Sequence, residues 1–360
     1  MFDRRFCSFL ALIGLWIGCG LTAGCGDGRT PLMVYSPHGS DLLKLLETAY
    51  EAENPQIDLK WFDMGSQDVF ERLRFERNNP QADVWFGGPD TIFARGAEDA
   101  LLEPYRPVWA DHVPTASQHP ENLFFGVYLA CPLLIYNSAA VPPEEAPQDW
   151  DDLLDPRWQG KVLIRDPLAS GTMRTVFGMI LARSVAETGN PDAGFAWLAR
   201  LDQQTKEYTL NPALLFEKMI RQEGVVSIWE LTDILLLKQQ DSPLDYRFAT
   251  SGTPIIDDSI GLVRGAPHPE VAKAFIDWVG SVETQSLVAR EVFRLPARTD
   301  IPTESLPPWA QKVLGEMHPA AVDRSVLAAQ GNDWMQHWDR AIRGRGERFL
   351  EEAGAATAER

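Results

Sequence analysis

The sequence predicts an α/β protein of two lobes, with a central cleft and crossover hinge strands between them. Three observations carry that expectation. Strand-like and helix-like patterns alternate three times between residues 32 and 100, and a second α/β region runs from 162 to about 238. Extended runs near 125–130 and 250–258 are placed to cross between the two regions. Two rigid halves joined by extended crossovers can close on a ligand that touches both.

The elements follow in order. Leu32 to Ser36 reads as a buried strand, and the turn Pro37-His38-Gly39-Ser40 leads into a helical face of Leu42, Leu45, Leu46, Ala49 and Tyr50, with Ser40 as the expected N-cap. Ile57 to Phe62 alternates as a strand, and Gly65-Ser66 opens a second amphipathic helix. Ala82 to Phe86 is a third strand, followed by Gly87-Gly88-Pro89 and a third helix. Right-handed connection of such units gives a parallel sheet whose strand ends face the ligand. The expected division is a leader over 1–24, a linker over 25–30, lobe 1 over 31–128 with 254–300, and lobe 2 over 129–253 with C-terminal helices 301–350. A frayed polar tail, 351–360, completes it.

The second region opens on the most informative stretch. Val162 to Ile164 is a short apolar strand, Asp166-Pro167 ends it, and Ser170-Gly171-Thr172 precede apolar residues at helical spacing (Met173, Val176, Phe177, Ile180). A hydroxyl at a helix start satisfies free backbone N–H groups, and those groups with the helix dipole form a cradle for an anion. For Arg174 a charge-assisted contact to the anion and a solvated helix position are both open, the second being the preferred reading. Trp229 and Glu230 come at the end of the strand from Gly224, where they can reach the cleft as a stacking wall and an acceptor for an ammonium or hydroxyls. Asp257 and Asp258 lie on the returning crossover, where a hinge role and a ligand contact are both open.

The 360 residues include 33 Lys and Arg against 51 Asp and Glu, a formal charge of −18. That argues against nucleic acid, whose phosphates reward clustered cations. Residues 1–24 have the pattern of a signal peptide, with Arg4 and Arg5 before an apolar run from Phe6 to Leu21. Of Cys7, Cys19, Cys25 and Cys131, only Cys131 lies beyond the leader junction, so no internal disulfide or cysteine metal site is expected. The histidines show no H-x-x-x-H spacing, and neither a metal nor a cofactor is expected.

At the junction, Leu21-Thr22-Ala23-Gly24-Cys25 resembles a bacterial lipobox, in which Cys25 carries lipid. Across the chain, Val34 to Gly39, Pro80 to Gly88, Trp150 to Lys161, Asp166 to Thr172, and Gly252-Thr253-Pro254 with Gly265 to Ala272 resemble, in family order, the extracellular solute-binding proteins of ABC importers. The resemblance is to the type II periplasmic fold, in the branch with ferric-binding and organophosphate-binding members. It implies a non-catalytic monomer, lipid-anchored in the periplasm or cell envelope, that captures a small anionic solute and delivers it to ABC permease subunits.

The family's organophosphate binders use hydroxyls and N–H groups in the first, second and fourth turns. These carry over to Ser36, His38 and Gly39, to Ser66, and to Ser170, Gly171 and Thr172, with Gly88, Trp229, Glu230 and Asp257 as further candidates. Ferric-binding relatives use a His, a Glu and two adjacent Tyr. His38 matches the first, but Gly87-Gly88-Pro89 offers no Glu, and no Tyr-Tyr pair occurs in the chain. An acid beside an anion cradle would fit a zwitterion such as an aminoalkylphosphonate. An envelope phosphate-ester hydrolase, which would need a base for Ser170, and a ligand sensor are the competing classes. No G-x-S-x-G elbow supports the hydrolase.

Overall fold

The computed structural model describes residues 28–358. The leader and Cys25 lie outside them. The first α/β layer comprises β1 (Thr30–Ser36), α1 (Ser40–Glu53), β2 (Ile57–Asp63), α2 (Ser66–Glu76), β3 (Val84–Pro89), α3 (Asp90–Glu98), the short β4 (Leu102–Glu103) and β5 (Phe125–Ala130). The chain then changes sheet at Cys131. The second layer holds β6 (Pro132–Asn137), β7 (Val162–Arg165), α4 (Gly171–Thr188), α5 (Asp192–Gln204), β8 (Thr205–Thr209), α6 (Pro212–Ile220), β9 (Val226–Glu230), α7 (Leu231–Gln239) and β10 (Leu244–Arg247). The chain returns through β11 (Ile256–Val263) to α8 (Pro269–Val279), α9 (Val282–Val292) and β12 (Leu295–Pro296). It ends in α10 (Pro308–Glu316), α11 (Arg324–Ala341) and α12 (Gly346–Ala358).

One sheet has the order β12-β5-β11-β3-β1-β2, with β4 beside β11; the other has the order β10-β6-β9-β7-β8. β2, β1 and β3 are parallel and β11 joins antiparallel; in the second sheet β8, β7 and β9 are parallel and β6 joins antiparallel. The two lobes therefore share one plan. In each, the first parallel strand feeds a helix whose start faces the other lobe. β3, β7 and β9 are buried almost throughout, and β1 from Val34 to Ser36, because helices cover both faces.

α1 packs through Leu42, Leu46 and Tyr50, spaced four apart. α4 is buried nearly all round because α5 and α11 pack on it. Leu327 of α11 lies so close to Gly178 that a Cβ there would come within 2.5 Å of it.

Three details differ from the sequence reading. Strand β5 stays in the first sheet as far as Ala130, two residues past the expected boundary. Ser40 is the first helical residue of α1; the cap is Gly39, whose φ of +78° suits a residue without Cβ. Much of the expected frayed tail is helical, because α12 packs against α5 and brings Gly346 against the backbone of Ala199.

Candidate functional site

A cleft of about 600 Å³ lies between the lobes, a size suited to a small molecule. The starts of five helices line it: α1 and α2 from one lobe, α4, α6 and α7 from the other. All follow loops or strand ends that the parallel layers aim at the cleft. Helix starts present N–H groups without intrahelical carbonyl partners and the positive end of the dipole, which makes such walls attractive to an anion.

The α4 start is built as the sequence predicts. Ser170 Oγ accepts from Met173 N at 3.3 Å, and α4 begins at Gly171. The Gly171 N–H donates across the cleft to Ser66 Oγ at 2.9 Å, so the α2 and α4 starts touch from opposite lobes. Thr172 Oγ1 donates to Glu230 Oε1. Gly39, Ser66, Gly88, Ser170, Gly171, Thr172, Trp229 and Glu230 all line this one cleft.

Three candidates take other roles. Ser36 is fully buried; its Oγ accepts from the His38 N–H at 3.2 Å and pairs with His38 Nδ1 at 3.1 Å, fixing the ring. The His38 imidazole in turn meets Asp258 Oδ2 at 2.5 Å, so it braces the cleft wall rather than presenting a free nitrogen. Asp257 is a correction. Its carboxylate turns from the cleft to accept from Ser117 Oγ at 2.9 Å and from Arg324 of α11. Neighbours on a strand point to opposite faces, so it is Asp258 that faces the cleft.

The residues missed by sequence reasoning are charged. Arg165 and Arg294 line the cleft, both buried, and each has a buried Nε without a partner among the described residues. Arg294 Nη2 donates to the His38 carbonyl at 3.2 Å, and Arg165 Nη1 to the Thr209 carbonyl at 3.1 Å. No local pattern marks them, since Arg294 lies 256 residues from its partner.

Six carboxylates also line the cleft: Asp41, Asp63, Asp68, Glu230, Asp233 and Asp258. Asp41, Asp68 and Asp233 sit in first helical turns, where they offset the dipoles. Burial, reinforced by Asp233 and Asp258, pushes Glu230 up to about 7 against the pull of Arg294. Burial also raises Asp233, which accepts from Trp229 Nε1 at 2.6 Å. For Asp258 burial would raise the carboxyl, but His38, Arg294 and the Gly88 N–H outweigh it and hold it below the usual range. The cleft thus pairs anion-seeking helix starts with a partly buried acidic corner.

Two α/β lobes closing on a polar cleft define a ligand-binding clamp. The chain belongs to the bacterial extracellular solute-binding proteins, whose family model matches residues 79–325, and it is a periplasmic solute-binding protein of an ABC transporter, not an enzyme. A probable ABC transporter periplasmic-binding protein of Sinorhizobium fredii is 26% identical over 87% of this chain and 86% of its own. A Salmonella typhimurium protein described as a candidate 2-aminoethylphosphonate-binding periplasmic protein is 28% identical over 79% of this chain and 78% of its own.

Among solved structures, the periplasmic binding protein AfuA from Actinobacillus pleuropneumoniae, with fructose-6-phosphate bound, aligns with a TM-score of 0.77. It is 25% identical and covers 88% of this chain and 99% of its own. The ferric binding protein from Campylobacter jejuni has a TM-score of 0.72 at 17% identity, over 86% and 98%, and shares the fold.

Proposed function

We propose that this protein captures a small zwitterion, with a phosphonate or phosphate at one end and an ammonium at the other, and hands it to an ABC permease. One observation carries the reading. Helix starts from both lobes converge beside Ser66, Ser170 and Gly171, while Glu230, Asp233 and Asp258 form an acidic corner of the same cleft. The helix starts suit the anionic end and the acidic corner suits an ammonium. The ligand class described for the Salmonella relative agrees with this reading.

Ferric iron is less well served. No tyrosine lines the cleft, His38 is committed to Asp258, and among the described residues no group of three or more His, Cys, Asp or Glu could hold a metal ion.

The test is a thermal-unfolding screen of the purified protein against 2-aminoethylphosphonate, fructose 6-phosphate, inorganic phosphate and ferric citrate. A tight ligand raises apparent stability by mass action. The aminoalkylphosphonate should give the largest rise; a larger one from the sugar phosphate or ferric citrate would overturn the zwitterion reading.

We further propose that Cys25 carries the lipid that holds the mature monomer at the membrane, on the residue pattern before it. Metabolic labelling with a radioactive fatty acid should mark the wild-type chain and not Cys25→Ser. Equal labelling of both would remove the anchor.

A further inference from the structure

Beyond the Ser66–Gly171 contact lies a second and much smaller pocket between the lobes, about 40 Å³ against about 600 Å³ for the main cleft. α2 and α3 contribute Gln67, Thr91 and Arg95, α4 contributes Arg174, and α11 closes it with Asn332. Two guanidiniums from opposite lobes thus share one space, and no carboxylate lines it.

Arg95 donates to Gln67 Oε1 at 3.4 Å and lies 4.4 Å above the Phe70 ring centre. Arg174 Nε donates to the Pro167 carbonyl at 3.1 Å. Among the described residues neither has a carboxylate at ion-pair distance. Asp166 and Glu71 attract Arg174 from further off, and each already has a cation: Arg343 at 2.7 Å for Asp166, Arg74 at 3.1 Å for Glu71. Burial, and after it Arg95, pushes the Arg174 guanidinium down to about 10.

The two charges meet only when the lobes meet, so alone they oppose closure. A doubly charged anion between them would reverse that sign, and two planar guanidinium forks are suited to a tetrahedral or planar oxyanion. We propose that this pocket is a second ligand site, for a small doubly charged oxyanion such as sulfate or hydrogen phosphate, and that the bound anion favours the closed clamp. The site is independent of whichever solute the main cleft takes.

Equilibrium dialysis of the purified protein against radioactive sulfate, with chloride balancing ionic strength, reads it directly. One saturable sulfate per chain is expected for wild type. It should be lost in Arg174→Gln, weakened at least tenfold in Arg95→Gln, and kept in Arg294→Gln, which alters only the main cleft. Should Arg174→Gln fail to fold, Arg95→Gln carries the test. Three results would overturn the proposal: no saturable binding to wild type, binding unchanged in both pocket variants, or binding that disappears with Arg294→Gln. Thermal unfolding in sulfate separates site binding from general salt exclusion, because exclusion stabilises every variant alike whereas a site stabilises only those that keep it.

Discussion

Replacing Gly171 by alanine should prop the clamp open and lower solute affinity roughly 100-fold, corresponding to about 3 kcal/mol of overpacking at a tight contact. A Cβ at this position would come within 2.6 Å of Pro89 Cδ and 2.8 Å of Ser66 Oγ, both on the opposite lobe. The Pro89 ring cannot step aside, and turning the Ser66 hydroxyl away would break its bond to the Gly171 N–H. Within its own lobe the change is benign, since alanine is the better helix former by up to ~1 kcal/mol. The apo protein should therefore unfold at the wild-type temperature or slightly above it. Calorimetric titration with small-angle scattering checks the expectation: weak binding and an open profile at saturating solute. Ser66→Ala is the milder companion. It removes the acceptor of the Gly171 N–H, at about 1–2 kcal/mol for a buried donor left unpaired, or roughly 5- to 30-fold in affinity. Wild-type affinity in Gly171→Ala would mean the α2–α4 contact is not part of the bound state.

Glu230→Gln should move stability and affinity in opposite directions. With its pKa raised from 4.5 to about 7, Glu230 binds a proton more tightly in the folded chain than in the unfolded one. Its favourable contribution is complete below about pH 4.5 and is lost as pH rises through about 7, leaving a penalty on the order of 3 kcal/mol at pH 8. Glutamine removes that penalty and can still accept from Thr172. Denaturant unfolding of the apo protein at pH 8 should thus show the variant to be the more stable, with the gap closing towards pH 5. Binding of a zwitterion should weaken at pH 8 by about 2 kcal/mol, roughly 30-fold, because the ammonium loses its partly buried counter-charge. A variant no more stable than wild type at pH 8 would show that Glu230 is not held as a strained carboxylate.

The parts legible in the sequence are those written locally. A hydroxyl before a helical run marks Ser170 as a cap, and Gly or Ser turns after apolar strands place Gly39, Ser66 and Gly88 at the mouth of a parallel sheet. Period-2 and period-3.6 patterns fix the layers. The rest depends on contacts between distant segments. Arg294 reaches the His38 carbonyl from beyond α9, and the His38 ring meets Asp258 across 220 positions. Asp257 and Asp258 are indistinguishable in composition; the register of β11 between β5 and β3 decides which one faces solute. The common plan of the two sheets is also invisible in the residues, because it repeats connectivity and not side chains. For α12 a cue was present in Phe349 and Leu350, which pack onto the second lobe, but its value depends on α5 being there to receive them.

The central claim is that the cleft reads both charges of its solute, and paired titrations with 2-aminoethylphosphonate and ethylphosphonate test it most directly. The ammonium makes the second phosphonate proton of the amino compound the more acidic, so each affinity is corrected for that compound's own dianion fraction before the two are compared. The amino compound should bind at least about 30-fold more tightly at pH 8, and its advantage should shrink at pH 6 as Glu230 takes up a proton. Equal affinity for the two, or tighter binding of ethylphosphonate, would contradict the account.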